Sequence, residues 1–460
     1  MSDIAIIGGG AAGAAVFGSL LRRGAAGTVH WMTGETPVPG RGVAYGTQDE
    51  RHLLNVRASH MGLYVDEDEG FAHFCARQRP GFPETDFASR WLFGDFIESQ
   101  LTSRMAEAAA KGQPYVLHGL EAVSVAPHGG GYEVKLANGD ALRVGAVVLA
   151  LGILPPLPFS GTTARALASG AYVVDPWNLP QYPSRPPHRV IVIGTGLTAV
   201  DTLLSASAWW PDAEFIAVSR HGLWSSVHAQ APTTVFASQA EVNAALLSCR
   251  SPLAMLRVIR RTLRDHPGLD WRSLIDGMRP HNPTLWQGMS EAGRRRFLRH
   301  LRWLWDVSRH RAPPRSAAAI QRLLDSGRLT LRAARVVGID GDGPLDVMMR
   351  TRASGEPTVL QADMVVQATG LNLSVALSDR PLIMQLLRDG LVKADPLQLG
   401  LSAEPDGRLI DAQGHARPGL YAIGPMLCGN LWECIAMPEI RSMANELAYA
   451  LKKAASLVVA

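Results

Sequence analysis

Ile4-Ala5-Ile6-Ile7-Gly8-Gly9-Gly10-Ala11-Ala12-Gly13 opens the chain, and Arg189-Val190-Ile191-Val192-Ile193-Gly194-Thr195-Gly196-Leu197-Thr198-Ala199 repeats its pattern near the middle. In each, a short apolar run of strand length ends on glycine, and a helix-forming stretch follows. The first helix is expected to run to about Arg23 and the next strand over 28–32; the second helix starts at about Leu197, with its next strand over 214–218. Strand, glycine turn, helix and strand make a parallel β-α-β unit. Two such units in one chain decide the fold class: α/β, with two Rossmann-like dinucleotide-binding domains.

The glycine spacing has a mechanical meaning. In Gly8-x-Gly10-x-x-Gly13 the first glycine permits the tight turn, and the second lets a diphosphate approach the backbone. The third permits close helix–strand packing. The diphosphate then lies on the positive helix N-terminus. Gly8, Gly10, Ala12 and Gly13 are the candidate contacts in the first unit; Gly194, Gly196, Leu197 and Thr198 are those in the second, where the pattern is Gly194-x-Gly196-x-x-Ala199. One such fingerprint is weak evidence, because a Gly-rich turn has purely structural uses. Two, each between strand and helix, are much stronger.

The strand after each turn carries the ribose signal. In the second unit it ends in Ser219-Arg220. An acid there would bond the free ribose hydroxyl of NAD, whereas an arginine suits the 2′-phosphate of NADP; a solvated loop arginine is the plain alternative. In the first unit the corresponding place falls near Met32, with Glu35 the next carboxylate, so the usual acid is missing. Two further buried strands, 147–152 and 363–370, end in small residues, and the second places Thr369 and Gly370 beside a dinucleotide.

Bulk properties bound the rest. At 460 residues, two or three domains are expected. Net charge is +4, too small to indicate nucleic acid, although Arg294, Arg295, Arg296, Arg299 and Arg302 crowd one helical stretch. Phe297, Trp303 and Trp305 sit among those arginines like core anchors, so a solvated face is the expectation. The four cysteines form no Cys-x-x-Cys pair, which argues against a redox dithiol of the disulfide-reductase kind and points to a reducing, cytoplasmic setting. The apolar opening lacks a basic leader and is broken by four glycines, so it is read as strand and helix, not as a signal or a membrane span. The histidines lack metal-ligand spacing. Segment 33–80 reads as loop-rich, 94–112 as helical, 132–136 and 141–144 as a hairpin about Asn138-Gly139, and 239–311 as helical. Strands return at 329–337, 345–350, 364–368 and 420–423, and Pro438 opens a last helix.

Five stretches together resemble a known family: Gly-Arg-Gly-Val-Ala-Tyr at 40–45, His-Leu-Leu-Asn-Val at 52–56, Gly-Thr-Gly-Leu-Thr-Ala-Val-Asp at 194–201, Ser-Arg-His-Arg-Ala-Pro at 308–313, and Leu-Trp-Glu-Cys-Ile-Ala-Met-Pro-Glu-Ile-Arg at 431–441. They are similar to the bacterial FAD/NAD(P)-binding proteins, relatives of the flavin-containing, N-hydroxylating and Baeyer–Villiger monooxygenases. The resemblance implies FAD on residues 1–160 and 371–460, and NADPH on 186–370, with a helical insertion at about 239–312. It places Arg41 and Gly42 along the FAD phosphate–ribityl region, Asn55 near the flavin ring, Gly424 toward the ribityl chain, and Trp432 as a wall of the flavin site. Asn55 in an ordinary turn and Trp432 in ordinary core packing are the plain alternatives. The implied activity is an NADPH-using flavin monooxygenase acting through a C4a-(hydro)peroxyflavin on a small molecule with O₂, N-hydroxylation among the options. A flavin reductase without oxygen insertion and a non-catalytic flavin-bound scaffold fit the same motifs. No nucleic-acid or membrane partner is expected.

Overall fold

The computed structural model describes residues 3–67, 70–352 and 355–459. The opening strand Ile4–Ile7 is central in a six-stranded sheet whose order is Arg408–Ile410, Ala416–Ala422, Ala146–Leu149, Ile4–Ile7, Val29–Met32, Tyr115–His118. All pairings are parallel except that of the Arg408–Ile410 edge strand. Every residue of Ile4–Ile7 and Ala146–Leu149 is buried, as expected of strands covered on both faces. The Ala11–Arg23 helix crosses over one face, where Phe17 stacks on Trp31 with ring centroids 4.9 Å apart, and the last helix, Met437–Val459, packs beside it.

The second β-α-β unit organises a seven-stranded sheet: Pro357–Ala362, Leu345–Thr351, Leu329–Asp340, Glu214–Ser219, Arg189–Ile193, Met364–Gln367, Tyr172–Val173. The strands around Arg189–Ile193 are parallel, and the Leu329–Asp340 strand continues into an antiparallel meander. Chain 408–422 returns to the first sheet, so the first unit is built from both ends of the molecule. The hairpin about Asn138-Gly139 forms, within a three-stranded antiparallel sheet that also takes Ala122–His128.

Several expectations are revised. The loop-rich segment contains the Gly70–Gln78 helix, and the helix expected over 94–112 runs Arg90–Ala110, capped by the Ser89 hydroxyl on Leu92 N–H. The arginine-rich stretch is two helices, Glu291–His300 and Arg302–Arg309, broken at Leu301. The break lets Phe297 and Trp305 meet at 6.4 Å while both lean toward the interior. Among the described residues no helix is long and apolar enough to cross a membrane, and no cluster of side chains could hold a metal ion.

Candidate active site

Both glycine turns are shaped by the strand beside them. Gly8 has φ +128°, and a Cβ on it would lie 2.2 Å from the carbonyl oxygen of Ala150. Gly194 has φ +123°, and its Cβ would lie 2.0 Å from the carbonyl oxygen of Ala368. Only glycine fits, for conformational and steric reasons alike. The small-residue endings of 147–152 and 363–370 thus serve one purpose: they let a neighbouring strand press on the turn. Gly13 completes the first cradle, since a Cβ there would stand 2.2 Å from the Gly8 carbonyl oxygen. That oxygen also accepts a 2.9 Å hydrogen bond from Trp31 Nε1.

Gly10 and Gly196 differ in kind. The nearest atom to a Cβ on Gly10 would be Gly42 Cα at 3.9 Å, and a Cβ on Gly196 would have nothing within 4 Å. Both are helix N-caps in extended conformation, with no side-chain cap and no acid in the first turn. The first amides of two 13-residue helices therefore face space with no protein acceptor supplied by a cap, which is how an anion site at a helix start is built.

The two helix starts open onto one cavity of about 1200 Å³. Gly8, Gly10, Ala12, Arg41, Gly42, Asn55, Gly194, Gly196, Leu197, Thr198, Ser219, Arg220, Thr369, Gly370 and Trp432 all line it. Gly13 lies behind the wall as a packing residue. Gly424, placed by the resemblance toward a ribityl chain, is also behind the wall; it is buried, and a Cβ on it would lie 3.6 Å from Ala12 Cβ, while Pro425 is the residue that reaches the cavity.

Arg41 lines the cavity, and its charge has partners within the protein. Its buried guanidinium is paired with Asp95 and with Glu98 at 3.0 Å and lies over Trp91 at 4.3 Å. Both acids are on the Arg90–Ala110 helix, and Gly42, next to Arg41 in the chain, faces Gly10 across the turn. Asn55 carries an amide with no hydrogen bond among the described residues, and its own carbonyl is bonded by His228 Nε2 at 3.0 Å. Burial, with Arg311 nearby, pulls His228 down to about 4, so at neutral pH it is an uncharged donor to Asn55.

At the far end of the second unit, Arg220 is exposed at the strand terminus. Arg335 from the neighbouring Leu329–Asp340 strand also lines the cavity there. His221 stacks on Trp303 at 4.3 Å and is bonded by Arg352. Arg335 was not singled out by the sequence, and Trp303, expected there as a core anchor, lines the cavity half-buried; each reaches the site from a different element. At the first unit, Met32 is fully buried and Glu35 is exposed off the cavity wall. Glu121 lines the cavity instead, its carboxylate oxygen 3.6 Å from where a Gly34 Cβ would be.

The helical insertion closes the remaining side. Arg309 Nε donates to Glu433 at 3.1 Å, and Asn282 Nδ2 donates to the same oxygen at 3.0 Å. Arg279 makes a bidentate pair with Glu439 at 2.5 and 2.8 Å. Arg279, Arg309, Glu433 and Glu439 all line the cavity, as does His310; Arg311 instead lies off it, paired with Asp276. Trp432 stacks on Trp286 at 4.7 Å and meets Phe297 edge-on at 5.2 Å, with φ +60°, an uncommon conformation for a bulky residue. Wall and core packing are therefore one role at Trp432, not two.

The first cradle lies inside a segment, residues 5–154, that matches the model of the family described as FAD-NAD(P)-binding. No curated protein matches the chain. Solved structures do, over nearly the whole length. The ornithine N-hydroxylase of Kutzneria sp. 744, with reduced FAD, NADP⁺ and L-ornithine, is 15% identical with a TM-score of 0.64, covering 98% of this chain and 99% of that one. The L-lysine 6-monooxygenase of Pseudomonas syringae is 17% identical, TM-score 0.64, covering 99% and 100%. A flavin monooxygenase mutant from Stenotrophomonas maltophilia is 15% identical, TM-score 0.52, covering 99% of each. The likeness is one of fold, and it extends over nearly the whole of each chain.

Proposed function

We propose that this chain is an FAD-dependent, NADPH-using monooxygenase acting on a small molecule, with an amine or amino-acid nitrogen as the oxygen acceptor. The observation that carries the reading is the single cavity onto which two uncapped helix N-termini open. Each is an anion cradle that a Cβ would partly fill, and one large cavity between them allows two dinucleotides to meet. The lining supports the same reading at the riboses, since Glu121 borders the cavity near the first turn and Arg220 and Arg335 border it near the second, a carboxylate suiting a ribose hydroxyl and arginines a 2′-phosphate.

In this reading residues 1–160 and 371–460 hold FAD through Gly8, Gly10, Ala12, Gly42 and Glu121, while 186–370 hold NADPH through Gly194, Gly196, Leu197, Thr198, Arg220 and Arg335. Thr369 and Gly370 border the second nucleotide. FAD, when bound, supplies hydride acceptance and oxygen activation. The protein's share is placement and exclusion of water. Asn55 offers an unengaged amide, its main chain fixed by His228. Trp432, Arg309–Glu433 and Arg279–Glu439 tie the insertion to the 428–440 segment and cover the cavity. The amine acceptor is taken from the ornithine and lysine hydroxylases that share the fold.

The test is a screen of amines, amino acids, sulfides and ketones against purified yellow protein, following NADPH loss, oxygenated product and peroxide together. Hydroxylated amine in proportion to NADPH supports the proposal. NADPH loss that yields only peroxide with every compound assigns the chain to the reductases, and absence of NADPH-driven flavin bleaching removes both readings.

A further inference from the structure

The sequence has no Cys-x-x-Cys pair, yet the fold brings two of its four cysteines together. The Sγ atoms of Cys428 and Cys434 are 3.6 Å apart. They differ in surroundings: Cys428 reaches the cavity wall, whereas Cys434 is fully enclosed, with its Sγ 3.2 Å from the Gly424 carbonyl oxygen as donor. The neighbouring Cys428 and burial both push the Cys434 thiol well above its ordinary range, so it stays protonated. Both sulfurs are buried, but only Cys428 borders the cavity, so a reactant in the cavity meets Cys428 first and Cys434 stands behind it as the resolving sulfur.

We propose that Cys428 and Cys434 form a dithiol that a hydroperoxide entering through the cavity converts to an intramolecular disulfide. The Cys428 sulfur attacks the peroxide; an S–O bond forms, the O–O bond breaks, and water (or an alcohol, from an organic hydroperoxide) leaves with the thiol proton. The Cys434 sulfur then attacks the sulfenic sulfur of Cys428; the S–S bond forms, the S–O bond breaks, and a second water leaves with the Cys434 proton. Two thiols lose two electrons and one hydroperoxide gains them. The sulfurs must close from 3.6 Å to about 2.05 Å, and the span they pull on is residues 429–433. That span carries Trp432, in its left-handed conformation, and Glu433, paired with Arg309, so the bond reshapes the cavity wall where both residues stand. The other two cysteines have no such partner: Cys75 is in the first core, its thiol pushed up to about 12 by burial, and Cys249 bonds the Ala245 carbonyl oxygen.

The inference stands apart from the proposed oxygenation, because the oxidant is added and the readout is covalent. Wild-type holoprotein is titrated anaerobically with hydrogen peroxide, denatured, alkylated and mapped by mass spectrometry. The expected result is that alkylatable thiols fall from four to two, with one Cys428–Cys434 cross-linked peptide that dithiothreitol restores. In Cys434→Ser, Cys428 should instead accumulate as a dimedone-trapped sulfenic acid, which wild type does not show. Loss of Cys75 or Cys249 first, over-oxidation of Cys428 without the cross-link, or four intact thiols at peroxide levels that consume free cysteine would each overturn it. The wild-type map decides the matter even if the serine variant does not fold.

Discussion

Replacing Gly196 by alanine separates what the polypeptide needs from what its ligand needs. The new methyl would meet nothing within 4 Å, and the extended N-cap conformation, φ −80° and ψ −173°, is open to any residue. Alanine is a poorer N-cap than glycine, but it also restricts the unfolded chain, so the net change is within about 1 kcal/mol. The melting temperature should move by no more than roughly 2–4 °C. The methyl does, however, occupy the space through which a diphosphate would approach the first amides of the helix. Losing one hydrogen bond to a charged oxygen costs about 1.5–3 kcal/mol, which is roughly 10- to 150-fold in affinity. NADPH titration of the flavin-loaded protein, with flavin absorbance and thermal melting in parallel, should show weak NADPH binding with FAD content and melting intact. Gly10→Ala should give the converse, because only Gly42 Cα, at 3.9 Å, approaches its methyl: FAD is lost and the apoprotein still folds. Gly194→Ala is the control, since its methyl would collide with Ala368 at 2.0 Å and cost folding itself. Unchanged NADPH affinity in a folded Gly196→Ala protein would refute the second cradle.

Arg220→Ala and Arg335→Ala should each raise the KM for NADPH about tenfold while leaving NADH nearly unchanged; equal effects on both cofactors would remove the 2′-phosphate assignment. Glu121→Ala should weaken FAD about tenfold in equilibrium dialysis of the apoprotein, and retention of full affinity would return the ribose contact to main chain. Acid should destabilise the fold through His228. Its folded pKa of about 4 lies below the unfolded value of 6.5, so the unfolded chain takes up the proton first, and stability present above pH 6.5 is lost as pH falls toward 4. The loss is about 2 kcal/mol at pH 5 and approaches about 3 kcal/mol below pH 4. Urea midpoints at pH 7 and 5 should therefore diverge less in His228→Gln than in wild type; parallel behaviour would mean that His228 does not carry the effect.

The elements legible in the sequence are those where one local constraint dominates. Ile4–Ile7 and Arg189–Ile193 are apolar because both faces are covered, and Gly8 and Gly194 follow because a strand carbonyl presses on the turn. Asn138-Gly139 announced its hairpin through turn geometry alone, with Gly139 at φ +92°. Tyr115–His118 and Pro357–Ala362 were not legible because they are sheet-edge strands and mostly exposed or half-buried, so neither carries a run of buried apolar residues. Site residues divide the same way. Glycines of the cradles could be named from spacing, whereas Glu121, Arg335 and Trp303 join the cavity only through tertiary placement. Arg41 was placed at the site by its motif, but its charge is taken by Asp95 and Glu98, which lie a helix away in sequence.

Two of the motifs that carried the family resemblance turn out to touch each other, which gives them a physical reason to occur together. His52, from His-Leu-Leu-Asn-Val, has Nε2 2.8 Å from Ser205 Oγ and 3.1 Å from the Asp201 carbonyl oxygen; Asp201 closes Gly-Thr-Gly-Leu-Thr-Ala-Val-Asp. Arg90, at the start of the first unit's long helix, donates to the buried Asp201 carboxylate at 3.2 Å. Burial pushes Asp201 upward, with Arg90 and His52 opposing, whereas at Asp49 hydrogen bonds from Arg51 and Ser205 outweigh burial and hold it down at about 2. A buried pair of this kind contributes little net stability, because desolvation offsets the attraction. What it can contribute is a unique arrangement, since any other docking of the two units would leave the Asp201 carboxylate enclosed and unpaired. Asp201 is on the helix that begins at Gly196, and His52 is on the strand-like run that leads to Asn55. The polar lock therefore fixes the second cradle relative to the residue that faces the cavity from the first unit, and the distance between two cofactors would be set there and not by either glycine turn alone.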